Sequence, residues 1–123
     1  MKIRIVVGKL SMDAELNESP TARKIAAVLP FQASFNTWGD EIYFSVPVNS
    51  RLDETAKEEV ELGEIGYWPS GNAFCIFFGP TPMSQGERII PASAVNIVGR
   101  VLGNPSLFRD VMKEGMIRLE PAQ

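Results

Sequence analysis

Residues 1–16 read MKIRIVVGKLSMDAEL, and their alternation decides the fold class. Ile3, Ile5 and Val7 share one face while Lys2 and Arg4 take the other. Beyond Gly8-Lys9 the pattern resumes, with Leu10, Met12, Ala14 and Leu16 set against Ser11, Asp13 and Glu15. A period of two marks strands buried on one face, and a glycine between two such runs suits a tight hairpin. The chain opens with two antiparallel strands.

The same signal recurs downstream. Ser19 is placed to cap a helix, Pro20 fits its first position and Pro30 stops it. Ala22, Ile25, Ala26 and Leu29 then fall on one face, predicting a short amphipathic helix over Pro20–Leu29. Phe31, Ala33 and Phe35 alternate with Gln32, Ser34 and Asn36; Gly39-Asp40 makes a turn, and Ile42, Phe44 and Val46 resume the inward face. Ile65–Trp68 and Ala73–Phe78 flank Pro69-Ser70-Gly71-Asn72 as a third hairpin. Ala73–Phe78 is almost wholly apolar, as a strand covered on both faces must be. Ala94–Val101 is a further β-branched strand. Asn104 caps a second helix, Pro105–Met112, with Leu107, Phe108 and Val111 inward, and Met116–Glu120 closes the chain. Residues 49–64 hold six acidic and two basic residues and read as an exposed connection with room for a helical turn. Gly79–Pro91 is a loop rich in Gly, Pro, Thr and Ser.

Eight strands that pair locally disfavour a parallel architecture. The reading is a mainly β fold, a closed eight-stranded antiparallel barrel with two short helices capping its ends. A barrel is preferred to a sandwich because both helices need an apolar surface to cover. Phe35, Ile42, Phe44, Phe74 and Ile117 are expected at its core.

Composition bounds the function. With 123 residues, 45% hydrophobic and 22% charged at a net charge of -3, residues 1–123 are expected to form one domain around one core. No stretch approaches the ~20 continuous apolar residues of a membrane helix, and the N-terminus lacks a signal-peptide layout, so a cytoplasmic protein without membrane partners is expected. There is no histidine and one cysteine, Cys75. That removes imidazole bases, His-paired nucleophiles, an intrachain disulfide and thiolate zinc sites. No metal and no cofactor are expected. Mild acidity argues against nucleic acid as a partner.

Several tracts resemble the cyclophilins. GKLSMDAELNESPTARKIAAVLP (8–30) is similar to the strand, acidic link and helix that begin them. NAFCIFFG (72–79) resembles their central strand, and VNIVGRV (95–101) their late HVVFGKV-type strand. GEIGYWPSGNAFCIFFGPTP (63–82) is also similar to small atypical prokaryotic cyclophilin-like proteins. The resemblance spans nearly the whole chain and implies the same barrel. It further implies peptidyl-prolyl isomerisation, in which an apolar pocket outside the barrel holds proline while a guanidinium hydrogen-bonds the prolyl nitrogen.

The site itself does not carry over. The family's late-strand histidine falls on Val95 and its pocket phenylalanine at or near Cys75. The arginine-bearing strand corresponds to FQASFNTWGD (31–40), which contains no arginine; only Gly39 and Asp40 match. Any isomerase activity would need a relocated arginine: Arg51, Arg88 or Arg100, the last being the arginine of VNIVGRV and otherwise a plain solvent-facing strand charge.

The remaining binding candidates are aromatic. Trp38, Tyr43, Tyr67 and Trp68 lie at strand ends, either as rim aromatics shielding the core or as walls of a groove. Trp38 shares the polar face of its strand, a poor place for a core residue. The expected groove is walled by Trp38, Tyr67, Trp68 and Phe78, with Thr81 and Met83 at its rim. Cys75 reads as a small buried hydrophobe. Asp13, Glu15 and the acidic run 53–64 read as solvated carboxylates without calcium-loop spacing. The leading functional expectation is a module binding a peptide, X-Pro included, a protein or a small molecule. A weak isomerase and a structural or protein-interaction domain are the alternatives.

Overall fold

Gly8 turns the first hairpin at φ +58°, joining β1 (Lys2–Val7) to β2 (Leu10–Leu16) in antiparallel register. The structure, a computed structural model, describes residues 1–122. Ile3, Ile5, Val7, Met12, Ala14 and Leu16 are all buried, whereas Lys2 and Arg4 meet Asp13 across the outer face at 3.6 and 3.2 Å. Ser19 caps α1 (Pro20–Ala27) by accepting from the Ala22 N–H at 3.3 Å, and Thr21, Ala22 and Ile25 pack inward. The helix stops two residues short of the expected Leu29. Val28 and Leu29 donate instead to Ile25 and Ala26 carbonyls, a tightening that suits a chain approaching Pro30.

The next strand bends. β3 (Phe31–Ser34) and β4 (Asn36–Thr37) are two legs either side of buried Phe35, whose N–H donates to Gly115 O at 2.9 Å. Gly39 turns the chain at φ +61° into β5 (Glu41–Ser45). β6 (Ala56–Lys57) and β7 (Glu64–Trp68) follow, and a 3-10 turn, Pro69–Gly71, leads into β8 (Ala73–Phe77). β9 (Val95–Val101), a 3-10 helix (Pro105–Val111) and β10 (Met116–Pro121) complete the chain.

The strands run β3-β10-β1-β2-β9-β7-β8-β5-β4, and all pairings are antiparallel. The two ends of this path are consecutive legs of one bent strand, so the sheet curls into a nearly closed barrel. One seam, between β3 and β5, has no ladder; there the Phe31 ring stacks on Phe44, centroids 6.5 Å apart. Taken as one strand, β3 and β4 leave the expected eight around the barrel, with β6 a ninth that pairs with β9 outside that path. The acidic tract is more ordered than its composition suggested. It contributes β6, which pairs with β9, and Val60, which bridges to Ile89. Buried Asn96 fastens it further, donating to Arg51 O and accepting from the Asp53 N–H, both at 2.8 Å.

The second helix forms where expected but as a 3-10 helix ending at Val111. Asn104 caps it, accepting from the Ser106 N–H at 3.1 Å. At about three residues per turn, Phe108 and Val111 share the buried face and Leu107 rotates out to 42% exposure, against the inward position expected of it. No helix among the described residues is long and apolar enough to cross a membrane.

Gly99 marks the closest approach of two strands. A Cβ there would lie 2.2 Å from the Glu15 carbonyl oxygen of β2, a backbone atom held by pairing on both sides. Gly99→Ala should therefore destabilise the barrel by ~1–3 kcal/mol, read as a lower urea midpoint, since overpacking against backbone has no side chain to yield.

Candidate functional site

β8 is apolar on both faces, and each face meets a different cluster. Phe74 and Ile76, with Phe78 just beyond, point into the barrel; Phe74 packs on Phe44 at 5.2 Å and Phe78 on Phe108 at 5.8 Å. Ala73, Cys75 and Phe77 point outward and join Val60, Ile89 and Val95 in a second cluster outside the barrel. The acidic tract and the Gly79–Pro91 loop supply that outer cover. Over Cys75 the cover stops.

What remains is a hollow of about 240 Å³ on the outer face of β5 and β8. Trp38, from the turn before β5, and Trp68, from the end of β7, stand in its walls with Tyr43, Pro91, Ala92 and Val95; Glu41 and Cys75 are its most buried polar members. Strand geometry explains the set. Ile42, Phe44 and Val46 face inward, so Glu41 and Tyr43 face out, and the register that pairs Tyr43 with Cys75 places Glu41 diagonally beside it. Trp68 is anchored, its indole N–H donating to Ser93 Oγ at 2.6 Å and its ring lying over Gly71, where a Cβ would come within 3.0 Å. A second depression of about 350 Å³ shares Tyr43 and Trp68 with the first and extends across Asn36 and Ser45.

The expected site residues divide. Trp38 and Trp68 come together in the hollow with Tyr43. Tyr67 and Phe78 do not join them: both are fully buried inside the barrel, and the Tyr67 hydroxyl donates to Val48 O at 2.5 Å. Thr81 is buried as a loop staple, its hydroxyl bonded to Ile90 O and to the Met83 N–H. Met83 is 52% exposed and stands outside the hollow's lining. Arg100 is exposed between Glu15 and Glu64 in register. Arg88 pairs with Glu59 at 2.8 Å, and Arg109 pairs with Asp40 at 2.9 Å. No arginine lines the hollow.

Glu41 is the group that residue-by-residue reading missed. It is 6% exposed, and no Lys or Arg among the described residues pairs with it. Burial pushes its carboxyl from 4.5 up to about 7, with the neighbouring Cys75 thiol pulling the other way. The Cys75 thiol is pushed well up, first by burial and then by the neighbouring Glu41 charge. It is a protonated donor rather than a nucleophile. No cluster of three or more Asp, Glu or Cys among the described residues is arranged to hold a metal ion.

The sign of the Glu41 shift has a consequence. Between pH 4.5 and about 7 the folded chain keeps a proton that the unfolded chain has lost, so stability falls as pH rises through that window. Glu41→Gln should remove the dependence. The variant should match the parent in the acid range and exceed its stability by up to about 3 kcal/mol above neutrality, read from urea midpoints across pH.

The family model described as Cyclophilin-like matches residues 1–120. The solution structure of the hypothetical protein AF2241 from Archaeoglobus fulgidus superposes with a TM-score of 0.82 at 40% identity, covering 99% of this chain and 95% of that one. A structure of McbB in complex with tryptophan shares the fold alone, with a TM-score of 0.63 at 14% identity; the match covers 96% of this chain and 44% of McbB. No curated protein sequence matches. With a nearly closed antiparallel barrel, a family match over residues 1–120 and a relative at 40% identity, the chain belongs to the cyclophilin-like family.

Proposed function

We propose that the protein is a binding module that takes a small ligand or a short peptide segment, X-Pro among them, into the exterior hollow. One observation carries the reading: two tryptophans stand half-buried around an apolar hollow, and at least one is fastened by its own hydrogen bond. Large aromatic rings with a polar tip are the usual anchors of recognition surfaces, and concave apolar sites with few polar groups are the usual ligand sites. The larger depression beside β1 and β2, about 590 Å³, is polar-rimmed and centred on Lys2, Arg4 and Asp13, which already pair with one another. It offers no comparable anchor.

Efficient isomerisation asks for more than a groove. The barrier is ~18–20 kcal/mol for amide rotation, only slightly less at X-Pro, and the guanidinium that weakens resonance at the prolyl nitrogen has no counterpart in the hollow's lining. Loss of a positioned donor of that kind typically lowers rate by about 10²–10³.

Titrating intrinsic tryptophan fluorescence with X-Pro peptides and small aromatic or aliphatic ligands tests the reading. Binding should perturb the signal, and Trp38→Ala or Trp68→Ala should weaken it by about tenfold. In a proline-peptide isomerisation assay the protein should fall far below an ordinary cyclophilin, with Arg100→Ala unchanged. Full-strength catalysis abolished by Arg100→Ala would put a relocated-arginine isomerase in its place.

A further inference from the structure

We propose that the hollow is a recognition site for an alkylammonium group, with Trp38, Tyr43 and Trp68 supplying π faces and Glu41 the counter-charge. This rests on the reading of the hollow as a ligand site and names the chemistry of what enters it. Three observations bear on it. The hollow holds two indoles and a phenol, and a cation over such rings is attracted by their quadrupoles, most strongly where water is excluded. Its one acidic residue, Glu41, is 6% exposed, yet no protein cation neutralises it. A buried carboxyl without a cation is a costly feature in an apolar hollow, and a bound ammonium is the complement that removes the cost. At about 240 Å³ the space is small for a drug-sized ligand but suits a methylated ammonium head on a short stem.

The groups surrounding Glu41 leave its charge as the one that counts. Across β8 stands the Cys75 thiol, kept protonated by burial; on β5 itself stands the Tyr43 phenol. Asp40, in the turn before β5, lies outside the lining and is tied to Arg109. Trp38, Trp68, Pro91, Ala92 and Val95, which complete the lining, bring no ionisable group. Burial pushes the Glu41 carboxyl up to about 7, so a cation that binds its ionised form drives off the proton. Affinity for an ammonium should rise through neutrality and level off above it.

The test compares choline with its uncharged isostere 3,3-dimethyl-1-butanol, read by tryptophan fluorescence and by the indole NMR signals. At about pH 8.5 choline should bind about tenfold tighter than the alcohol, and the preference should shrink at about pH 5.5. Glu41→Gln should erase the pH dependence and most of the preference. Trp38→Leu, which keeps apolar bulk and loses the π face, should lower choline affinity more than alcohol affinity, and so reports even if the first variant misfolds. Equal binding of choline and alcohol overturns the ammonium assignment and leaves a plain apolar ligand site. Perturbation by an X-Pro peptide but by neither small probe overturns it while the binding reading stands. No perturbation by any of the three overturns both.

Discussion

Five apolar residues in succession, Ala73–Phe77, form a strand with no face to give to water. Much of the molecule can be understood as the means of covering that strand twice. The inner face is satisfied by the barrel, where Phe44 and Phe74 meet at 5.2 Å. The outer face has no second sheet to meet. Two irregular tracts lie over it instead, and irregular backbone holds position only if its polar groups are satisfied. Hence the Val60–Ile89 bridge, the Thr81 and Ser84 hydroxyls stapling the loop, and Asn96 gripping the acidic tract from the barrel. Cover built from loops has edges, and the hollow is one of those edges.

That origin explains the site's electrostatics. On a bare antiparallel strand the outward position of Glu41 would be ordinary and solvated. Once Pro91, Ala92 and the two tryptophans close around it, the same carboxyl loses water without gaining a cation. Its upward shift is the measure of that loss. A carboxyl held this way costs folding stability at neutral pH, where a solvated Glu would cost nothing. Sites of this kind, strained by desolvation rather than by backbone, are common where proteins bind or react.

Period-two alternation made the barrel legible, because hairpins are local and each reports its own inward face. The tracts that cover β8 were not legible for the opposite reason. Val60 finds its partner 29 residues on, and Asn96 bonds to backbone at positions 51 and 53; neither pairing leaves a mark within any short window. Tyr67 and Phe78 show the limit from the other side. Both are expected as groove walls beside Trp38 and Trp68, but alternation along β7 sends Tyr67 inward when Trp68 faces out, and Phe78 follows Ile76 into the core. Glu41 was within reach of the same rule, since inward Ile42 and Phe44 force it outward beside Tyr43. What no pattern could give was that this outward face would be buried from above.

The comparison with the isomerases turns on charge. A site that speeds prolyl rotation places a fixed positive donor beside an apolar pocket outside the barrel. Here the corresponding strand brings Trp38 to an exterior pocket but no arginine, and the Gly39-Asp40 pair that does match the family is spent on structure. Asp40 anchors Arg109 of the 3-10 helix, and its carbonyl accepts from the Phe78 N–H at 3.0 Å. The carboxyl that lines the hollow, Glu41, is an acid with no basic side chain beside it in the lining. Reversing the sign of the one charge in a desolvated pocket reverses what that pocket favours, since a low-dielectric site amplifies whichever charge it holds. A pocket with a guanidinium favours electron-rich groups, such as an amide nitrogen gaining its lone pair. A pocket with a carboxylate and π faces favours groups that carry positive charge.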